Sequence, residues 1–252
     1  MILLISGVMA NSQKPFVSVL TPTYNRRRFI PALIKCYVSQ TYPHNRMEWL
    51  ILDDGQESTE DIFKEASKFI PNIRYIREPI KHLIGAKRNR LHKEARGEIF
   101  VCFDDDDFYY PERVAHCVLK FQQNPKINLA GSSVLFMYYT QEKKILELGP
   151  YGANHATNGT MAVRSSYAKT HFYDESVTHA EEISFLEKYK HPMIQLDPFK
   201  VMLVISHSEN TFDKRKFLTK EQLDTNPFIK MSKLKLKDFI KDKDLRDFYE
   251  NA

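Results

Sequence analysis

Three short apolar runs, each halted by polar residues and set between segments of helical periodicity, constrain this chain more than any other feature. Residues 16–20 stop at Thr21-Pro22-Thr23, residues 49–52 at Asp53-Asp54-Gly55, and residues 99–103 at Asp104-Asp105-Asp106-Asp107. Runs of this length bounded by turn-forming residues read as buried strands. After the first, Ile30, Leu33, Ile34, Tyr37 and Val38 recur at helical spacing, with Pro31 tolerated in a first turn. Ser58-Thr59-Glu60-Asp61 has the form of a capping signal before Ile62, Phe63, Ala66 and Phe69. Residues 73–76 are a further strand, and residues 85–95 a basic helix with Gly97 as its C-terminal cap. This alternation predicts an α/β fold, a Rossmann-like, mostly parallel sheet with helices on both faces, whose ligands lie beyond the carboxyl ends of its strands.

Four adjacent carboxylates at one strand end demand a counter-charge. Two unit charges about 4 Å apart interact by about 4 kcal/mol at an effective dielectric near 20, so ionised Asp104 to Asp107 would repel one another. A hard divalent cation, Mn²⁺ or Mg²⁺, turns that repulsion into binding, and Mg²⁺ completes its shell with water and substrate phosphates. A solvated acidic loop is the ordinary alternative.

With 252 residues, 42% of them hydrophobic, the chain can bury a real core. Its formal charge of +5, 37 basic against 32 acidic residues, suits an anionic small substrate, and no motif for DNA or RNA stands out. Cys36, Cys102 and Cys117 have no metal-ligand spacing and fit a reducing, cytoplasmic compartment. Residues 1–9 hold an apolar run far shorter than the roughly 20 residues of a membrane span, so residues 1–14 are expected to be a flexible start. The glycosylation sequon at Asn158-Gly159-Thr160 carries little weight.

Residues 111–124 are expected to form a helix opened by Pro111. Strands are expected at 129–139, 145–148, 161–164 and 201–205, with a helix at 180–190 between the last two. Beyond Thr219 a charged segment carries a broken apolar face of Leu234, Leu236, Phe239, Ile240, Leu245 and Phe248. It can be a packed tail, a partner-binding helix or a basic membrane-surface helix giving peripheral membrane contact; the packed tail is the reading taken.

The segments 17–26 (VSVLTPTYNR), 51–55 (ILDDG), 85–89 (GAKRN) followed by 95–98 (ARGE), and 103–107 (FDDDD) together resemble a family 2 glycosyltransferase. Their order and spacing over about ninety residues make the resemblance specific. It implies a GT-A fold, an inverting single displacement, a nucleotide-sugar donor (a UDP-sugar foremost), and a glycan, protein or small-molecule acceptor. On that resemblance Thr21, Thr23 and Tyr24 lie at the nucleotide, Tyr24 stacking on the base, and Asp53 accepts the uracil imide. Lys87 and Arg88 neutralise diphosphate oxygens, Arg by a planar fork and Lys as a point charge. Asp106 is a metal ligand, joined by His207, while Asp104 and Asp105 face the donor; the register within the acidic run is open by one residue. Asp107 orients the loop or faces the acceptor.

Displacement at an anomeric carbon also requires the acceptor hydroxyl to lose its proton. Glu181-Glu182 resembles the family's Glu-Asp segment, whose second acid is the base, so Glu182 is the candidate, with Glu181 left open. Gly159 permits close backbone approach to a sugar. His155, His171 and His179 have no comparable context. The domain reading is a donor half over 15–110, an acceptor half over 111–212 and a helical extension over 213–252. Two rivals accompany it, a non-catalytic nucleotide-sugar or carbohydrate-binding protein of the same fold, and a sugar-phosphate nucleotidyltransferase, against which the absence of a Gly-rich first loop argues.

Overall fold

The computed structural model describes residues 14–210 and 212–252, so the expected flexible start falls, but for Lys14, outside the described residues. The first half alternates strand and helix as β1 (Val17–Thr23), α1 (Ile30–Val38), β2 (Met47–Asp53), α2 (Glu60–Ala66), β3 (Ile73–Arg77), α3 (Ile84–Glu94) and β4 (Ile99–Cys102). Then come β5 (Phe108–Tyr109), α4 (Arg113–Gln123), β6 (Leu129–Gly131), β7 (Leu135–Tyr139), β8 (Lys144–Leu148), β9 (Ala162–Arg164), α5 (Ser165–Ala168) and α6 (Glu182–Phe185). The chain ends with β10 (Met193–Gln195), β11 (Met202–Ser206), α7 (Lys220–Thr225), β12 (Ile229–Met231), α8 (Leu236–Phe239) and α9 (Lys243–Glu250).

Seven strands form the main sheet in the order β10-β6-β9-β4-β1-β2-β3, with β9 alone antiparallel to its neighbours. Side-chain alternation sends Val17, Val19, Trp49, Ile51, Ile99 and Val101 to one face, against Leu33 and Tyr37 of α1, Phe63 of α2 and Val114 and Phe121 of α4. Leu20, Leu50, Leu52, Phe100 and Cys102 go to the other, with Leu91 of α3, Tyr167 of α5 and Phe185 of α6. Both faces are covered, which is why the strands read as continuous apolar runs. Trp49 anchors the first face, stacked on Tyr37 at 4.4 Å and edge-on to Phe63 at 5.3 Å.

A second sheet, ordered β12-β8-β7-β11-β5, fixes the acidic loop. After Asp107 the chain turns back as β5, antiparallel to β11, with Leu203 opposite Phe108. The Ile205 amide donates to Asp107 Oδ1 at 2.8 Å, so the acids leaving β4 are tied to β11, the strand that precedes His207. Phe103 stacks on Tyr109 at 3.9 Å and 7°, closing this hairpin from beneath.

Several local expectations are corrected. Residues 129–139 are two strands in different sheets, broken at Ser132-Ser133. The helix expected over 180–190 is the single turn α6, after which Glu187, Lys188 and Tyr189 all take positive φ (45°, 57° and 62°). Gly97 is not a left-handed cap; a Cβ there would lie 2.6 Å from the Ser18 amide nitrogen, so close packing on β1 requires the glycine. Thr59 precedes α2 without capping it, because its hydroxyl donates to Asp53. The tail is packed, with Leu236, Phe239, Ile240, Leu245 and Tyr249 buried in the main core, and it contributes strand β12 to the second sheet. No helix among the described residues is long and apolar enough to cross a membrane.

Tyr249 joins the tail to the acidic loop, its hydroxyl donating to the Asp107 carbonyl at 2.8 Å from a fully buried ring. Tyr249→Ala is expected to cost about 3–5 kcal/mol in urea unfolding, and Tyr249→Phe about 1 kcal/mol. Equal effects of the two would contradict the packed tail.

Candidate active site

The carboxyl ends of β1, β2 and β4 lie side by side, Thr23 opposite Asp53, and the Phe103 amide donating to the Leu20 carbonyl. Parallel neighbours therefore place Thr23-Tyr24, Asp53-Asp54 and the acidic loop at one rim of the sheet, and α3 runs beneath it.

At the end of β2, Asp53 is fully buried and takes five donors. Gly55 N and Arg77 Nη1 reach Oδ1 at 2.8 and 3.2 Å, while Thr59 N, Thr59 Oγ1 and Tyr75 OH reach Oδ2 at 2.9, 2.8 and 2.6 Å. Burial alone would raise its pKa, but the Tyr75, Gly55 and Thr59 bonds outweigh it and hold the carboxyl below its ordinary value. Such a carboxylate has no free lone pair for a uracil imide; it builds the turn. Asp54 receives Lys87 Nζ at 2.7 Å and the His82 amide at 2.7 Å, and Lys87 also donates to the Thr23 carbonyl at 3.2 Å. Lys87 is thus a buried partner of Asp54 and is not poised for a diphosphate.

Thr21 is buried and accepts from the Trp49 indole at 2.9 Å, inside the sheet. The Thr23 hydroxyl is buried with no hydrogen-bond partner among the described residues. Tyr24 stays half-buried at the rim with the Lys81 ammonium 4.2 Å from its ring centroid, so a cation covers the aromatic surface offered to a base.

In the acidic loop each carboxylate has a different environment. Asp106 Oδ2 is met by His207 Nε2 at 3.0 Å and Asn210 Nδ2 at 3.2 Å, with Arg26 Nε at 3.5 Å. Burial would raise its pKa, but His207, Lys214 and Arg26 together lower it. The His207 ring is wholly buried, its Nδ1 accepts from the Glu209 amide at 3.2 Å, and it lies over Phe29 at 4.4 Å. Nε2 is therefore the nitrogen turned toward Asp106. For Asp105, burial and then the Asp106 charge outweigh the Thr23 hydroxyl and Arg26, which lower it, and push it up to about 7. Asp107 is buried against Ile205 and is raised well above its ordinary value, first by burial.

Arg88, from α3, ties this loop to the distal half. Its Nη2 donates to Asp104 Oδ1 at 3.0 Å and its Nε to Glu181 Oε1 at 2.8 Å, from a nearly buried position. With its amide oxygen toward the guanidinium, Asn158 accepts from Arg88 Nη1 at 2.6 Å and donates to the Tyr173 hydroxyl at 2.7 Å. Burial opposes the charge on Arg88, but Asp104 and Glu181 hold its pKa well above the ordinary value. Glu181 is buried, whereas half-buried Glu182 has no hydrogen bond from another residue's side chain among the described residues. Burial, then the Glu181 charge, pushes Glu182 up to about 7. Gly159 makes room for Asp104 here, since a Cβ would lie 2.9 Å from its Oδ2.

Of the residues singled out from sequence, the fold brings Asp104, Asp105, Asp106, His207, Arg88, Glu181 and Glu182 into one cluster, and leaves Thr21, Asp53 and Lys87 bonded inside the protein. Sequence reasoning did not assign Arg26, Asn158 or Asn210 to it. Arg26 stood in the VSVLTPTYNR segment, Asn210 three residues beyond His207 and Asn158 beside Gly159, so proximity was the available signal for each.

Comparison with known proteins bears on this arrangement. The sequence model of the family described as Glycosyl transferase family 2 matches residues 18–177. An uncharacterized glycosyltransferase of Haemophilus influenzae is 31% identical over 112 residues, 44% of this chain and 36% of that protein. Glycosyltransferase AglE of Haloferax volcanii is 30% identical over 128 residues, 50% of this chain and 42% of that protein. The chain thus spans about two fifths of the length of these curated relatives. Among solved structures, the 1–349 segment of TarS from S. aureus in complex with UDP-GlcNAc aligns with a TM-score of 0.61 at 18% identity, covering 77% of this chain and 60% of that one. The mannosyltransferase PcManGT from Pyrobaculum calidifontis, in complex with GDP-Man and Mn²⁺, aligns with a TM-score of 0.63 at 14% identity, covering 79% and 59%. These likenesses carry the fold, the mixed α/β architecture expected as GT-A.

Replacing Asp53 by Asn keeps the shape but sets an NH₂ against incoming donors. Asp53→Asn is expected to lose about 2–4 kcal/mol of stability at pH 7 in urea unfolding. Because the folded-state pKa is below 3.8, the carboxylate's contribution is present at neutral pH and lost as pH falls below about 4. The stability of Asp53→Asn should therefore fall less steeply with acid than that of the wild type.

Proposed function

This chain belongs to glycosyltransferase family 2, and from that premise we propose that it moves a sugar from a nucleotide sugar to an acceptor hydroxyl by a single in-line displacement that inverts the anomeric centre. The observation that carries the reading is the Arg88 fork. It holds Asp104, from the donor half over 15–110, against Glu181, from the acceptor half over 111–212, and leaves the next acid, Glu182, unpaired.

Glu182 is the proposed general base. An ideal base has a pKa near the working pH, and burial beside Glu181 brings Glu182 to about 7. Glu181 cannot share the role while its carboxylate neutralises Arg88; its charge instead keeps the Glu182 proton affinity high. As proton acceptor Glu182 takes the hydroxyl proton while the acceptor oxygen bonds to the anomeric carbon and the glycosidic bond to the diphosphate breaks.

Asp106 and His207 are the proposed metal ligands; for His207 Nε2 to ligate, its proton would leave Nε2 or move to Nδ1, the latter giving up the hydrogen bond from the Glu209 amide. A carboxylate oxygen and an imidazole nitrogen 3.0 Å apart have about the separation of adjacent ligands on an octahedral ion with bonds near 2.1 Å. Manganese suits the mixed oxygen and nitrogen donors, and magnesium the carboxylates. A divalent ion bound there would supply electrostatic neutralisation of the leaving diphosphate. The chain has reason to need it, since Lys87 and Arg88 are both engaged by internal carboxylates. Of the further cations near this rim, Lys81 over Tyr24, Lys214 and Arg26, we place Arg26, beside Asp106, toward the phosphates.

For the donor we propose a UDP-sugar, on the family resemblance and on TarS, solved with UDP-GlcNAc. With Asp53 fully bonded, base recognition falls to Tyr24 and to main-chain groups of the rim. Residues 213–252 serve as a packed extension that braces the acidic loop through Tyr249.

Two results test these roles. Transfer, or slow hydrolysis of the donor when no acceptor is supplied, should rise about tenfold per pH unit below about 7 and level off above it, and Glu182→Gln should lower it by about 10²–10⁴-fold with donor binding kept. Normal transfer by Glu182→Gln would remove the base assignment. In calorimetry with nucleoside diphosphates, binding should require Mn²⁺ or Mg²⁺ and vanish with chelator and in Asp106→Ala. Binding without turnover on any donor and acceptor panel would instead favour a protein that holds nucleotide sugars without transferring them.

A further inference from the structure

Away from the sheet rim, His171, Glu187 and His191 converge so that one ligand atom from each lies within 4.8 Å of the others. His191 Nε2 is 3.1 Å from Glu187 Oε2, and His171 Nε2 is 3.7 Å from Glu187 Oε1. The orientation of His171 is set from behind. Its Nδ1 lies 3.1 Å from the Tyr167 carbonyl and 2.9 Å from Thr170 Oγ1, whose own hydrogen goes to that carbonyl at 3.1 Å; with both neighbours accepting, Nδ1 of the neutral ring carries the proton and Nε2 keeps its lone pair toward Glu187. A carbonyl fixing the tautomer of a metal-binding imidazole in this way is a usual second partner of such ligands. Both rings are held in place, since His171 stacks on Tyr167 at 3.7 Å and 6°, and His191 meets both rings edge-on at 5.4 Å. Tyr167 is itself anchored, its hydroxyl donating to the Phe185 carbonyl at 2.9 Å.

We propose that His171, Glu187 and His191 form a divalent metal site of zinc type, separate from the Asp106–His207 pair, that staples the segment carrying α6. Tetrahedral ligands at about 2.0–2.1 Å from zinc lie about 3.3 Å from one another; His191 Nε2 is 3.1 Å from Glu187 Oε2 and His171 Nε2 is 3.7 Å from the other oxygen, Oε1, so the carboxylate lies between the two rings and would turn to offer one oxygen to the ion. Two imidazoles and one carboxylate make a donor set that zinc accepts, with water as fourth ligand. The three side chains are partly exposed, which leaves a route for the ion.

The placement gives the staple a purpose. Glu187 opens the run of three non-glycine residues at positive φ, a conformation each of them adopts only at a cost. That turn directly follows the single helical turn bearing Glu182, and its far end leads through His191 to β10. A cross-link from the residue just beyond α5, His171, to both sides of the turn would hold a segment whose own helix is too short to hold itself.

The test uses the full chain, read without substrate so that it is independent of the proposed transfer. Purified protein exchanged against ZnCl₂ and then desalted should retain one zinc per chain by elemental analysis, and zinc should raise Tm by about 5 °C or more. Asp106→Ala should retain that zinc, while His171→Gln and His191→Gln should each weaken binding at least tenfold. Cobalt loaded into the wild type should give the intense visible absorption of a four-coordinate site, a readout that needs no variant to fold. No retained zinc in the wild type, weak six-coordinate cobalt spectra, or zinc lost in Asp106→Ala and kept in the histidine variants would each overturn the proposal.

Discussion

Arg88 is a buried cation shared by two acids that lie 16 and 93 residues from it, and the geometry of the rim follows from that sharing. An isolated guanidinium would be too costly to bury, so the fold must deliver both carboxylates to it. Asp104 comes from the end of β4 and Glu181 from the turn before α6. The two halves of the chain therefore meet around one charge, and Asn158 with Tyr173 completes its hydrogen bonding. Once Glu181 is fixed in this way, its neighbour Glu182 is directed out of the ion pair, close enough to feel the Glu181 charge.

Cations that sequence would place on a phosphate are largely consumed in building the rim. Lys87 closes on Asp54, Arg88 on Asp104 and Glu181, and Arg77 on Asp53. A small ligand with two or more negative charges thus meets a rim whose bases are already matched by acids. Asp53 is the clearest case. It looks like an exposed turn acid in sequence, yet it organises Gly55, Thr59, Tyr75 and Arg77 around itself.

The main sheet was legible because its parallel strands are buried on both faces and leave unbroken apolar runs such as residues 49–52, punctuated by polar turns. The convergence of Asp106 with His207 was expected only through the family resemblance, and its cause, the antiparallel pairing of β5 with β11, was not legible, since a two-residue strand has no periodicity to read. Residues 180–190 misled for the opposite reason. Ile183, Phe185, Leu186 and Tyr189 have helical spacing, yet the chain turns left-handed at Glu187, where Phe185 and Leu186 already fill the core against Tyr173 and Tyr167. Partners such as Lys87 with Asp54 and Arg88 with Glu181 depend on tertiary contacts over tens of residues, and a solvated basic helix face has the same local sequence as theirs.

Six carboxylates, Asp104 to Asp107 with Glu181 and Glu182, gather at this rim, and the protein settles their repulsion in two ways. Asp104 and Glu181 are paired with Arg88, and Asp106 is held ionised by His207, Lys214 and Arg26. The other three, Asp105, Asp107 and Glu182, are raised above their ordinary values, Asp105 and Glu182 to about 7. Asp107 is closed off by its bond from Ile205 and by burial, and Asp105 belongs to the donor-side loop beside Asp106. Glu182 alone of the three is contributed by the distal half, is only half-buried, and has no side-chain partner among the described residues to displace before it accepts a proton. The proposed assignment of the base rests on this partition of charge among neighbouring acids, in which the paired glutamate raises the proton affinity of Glu182.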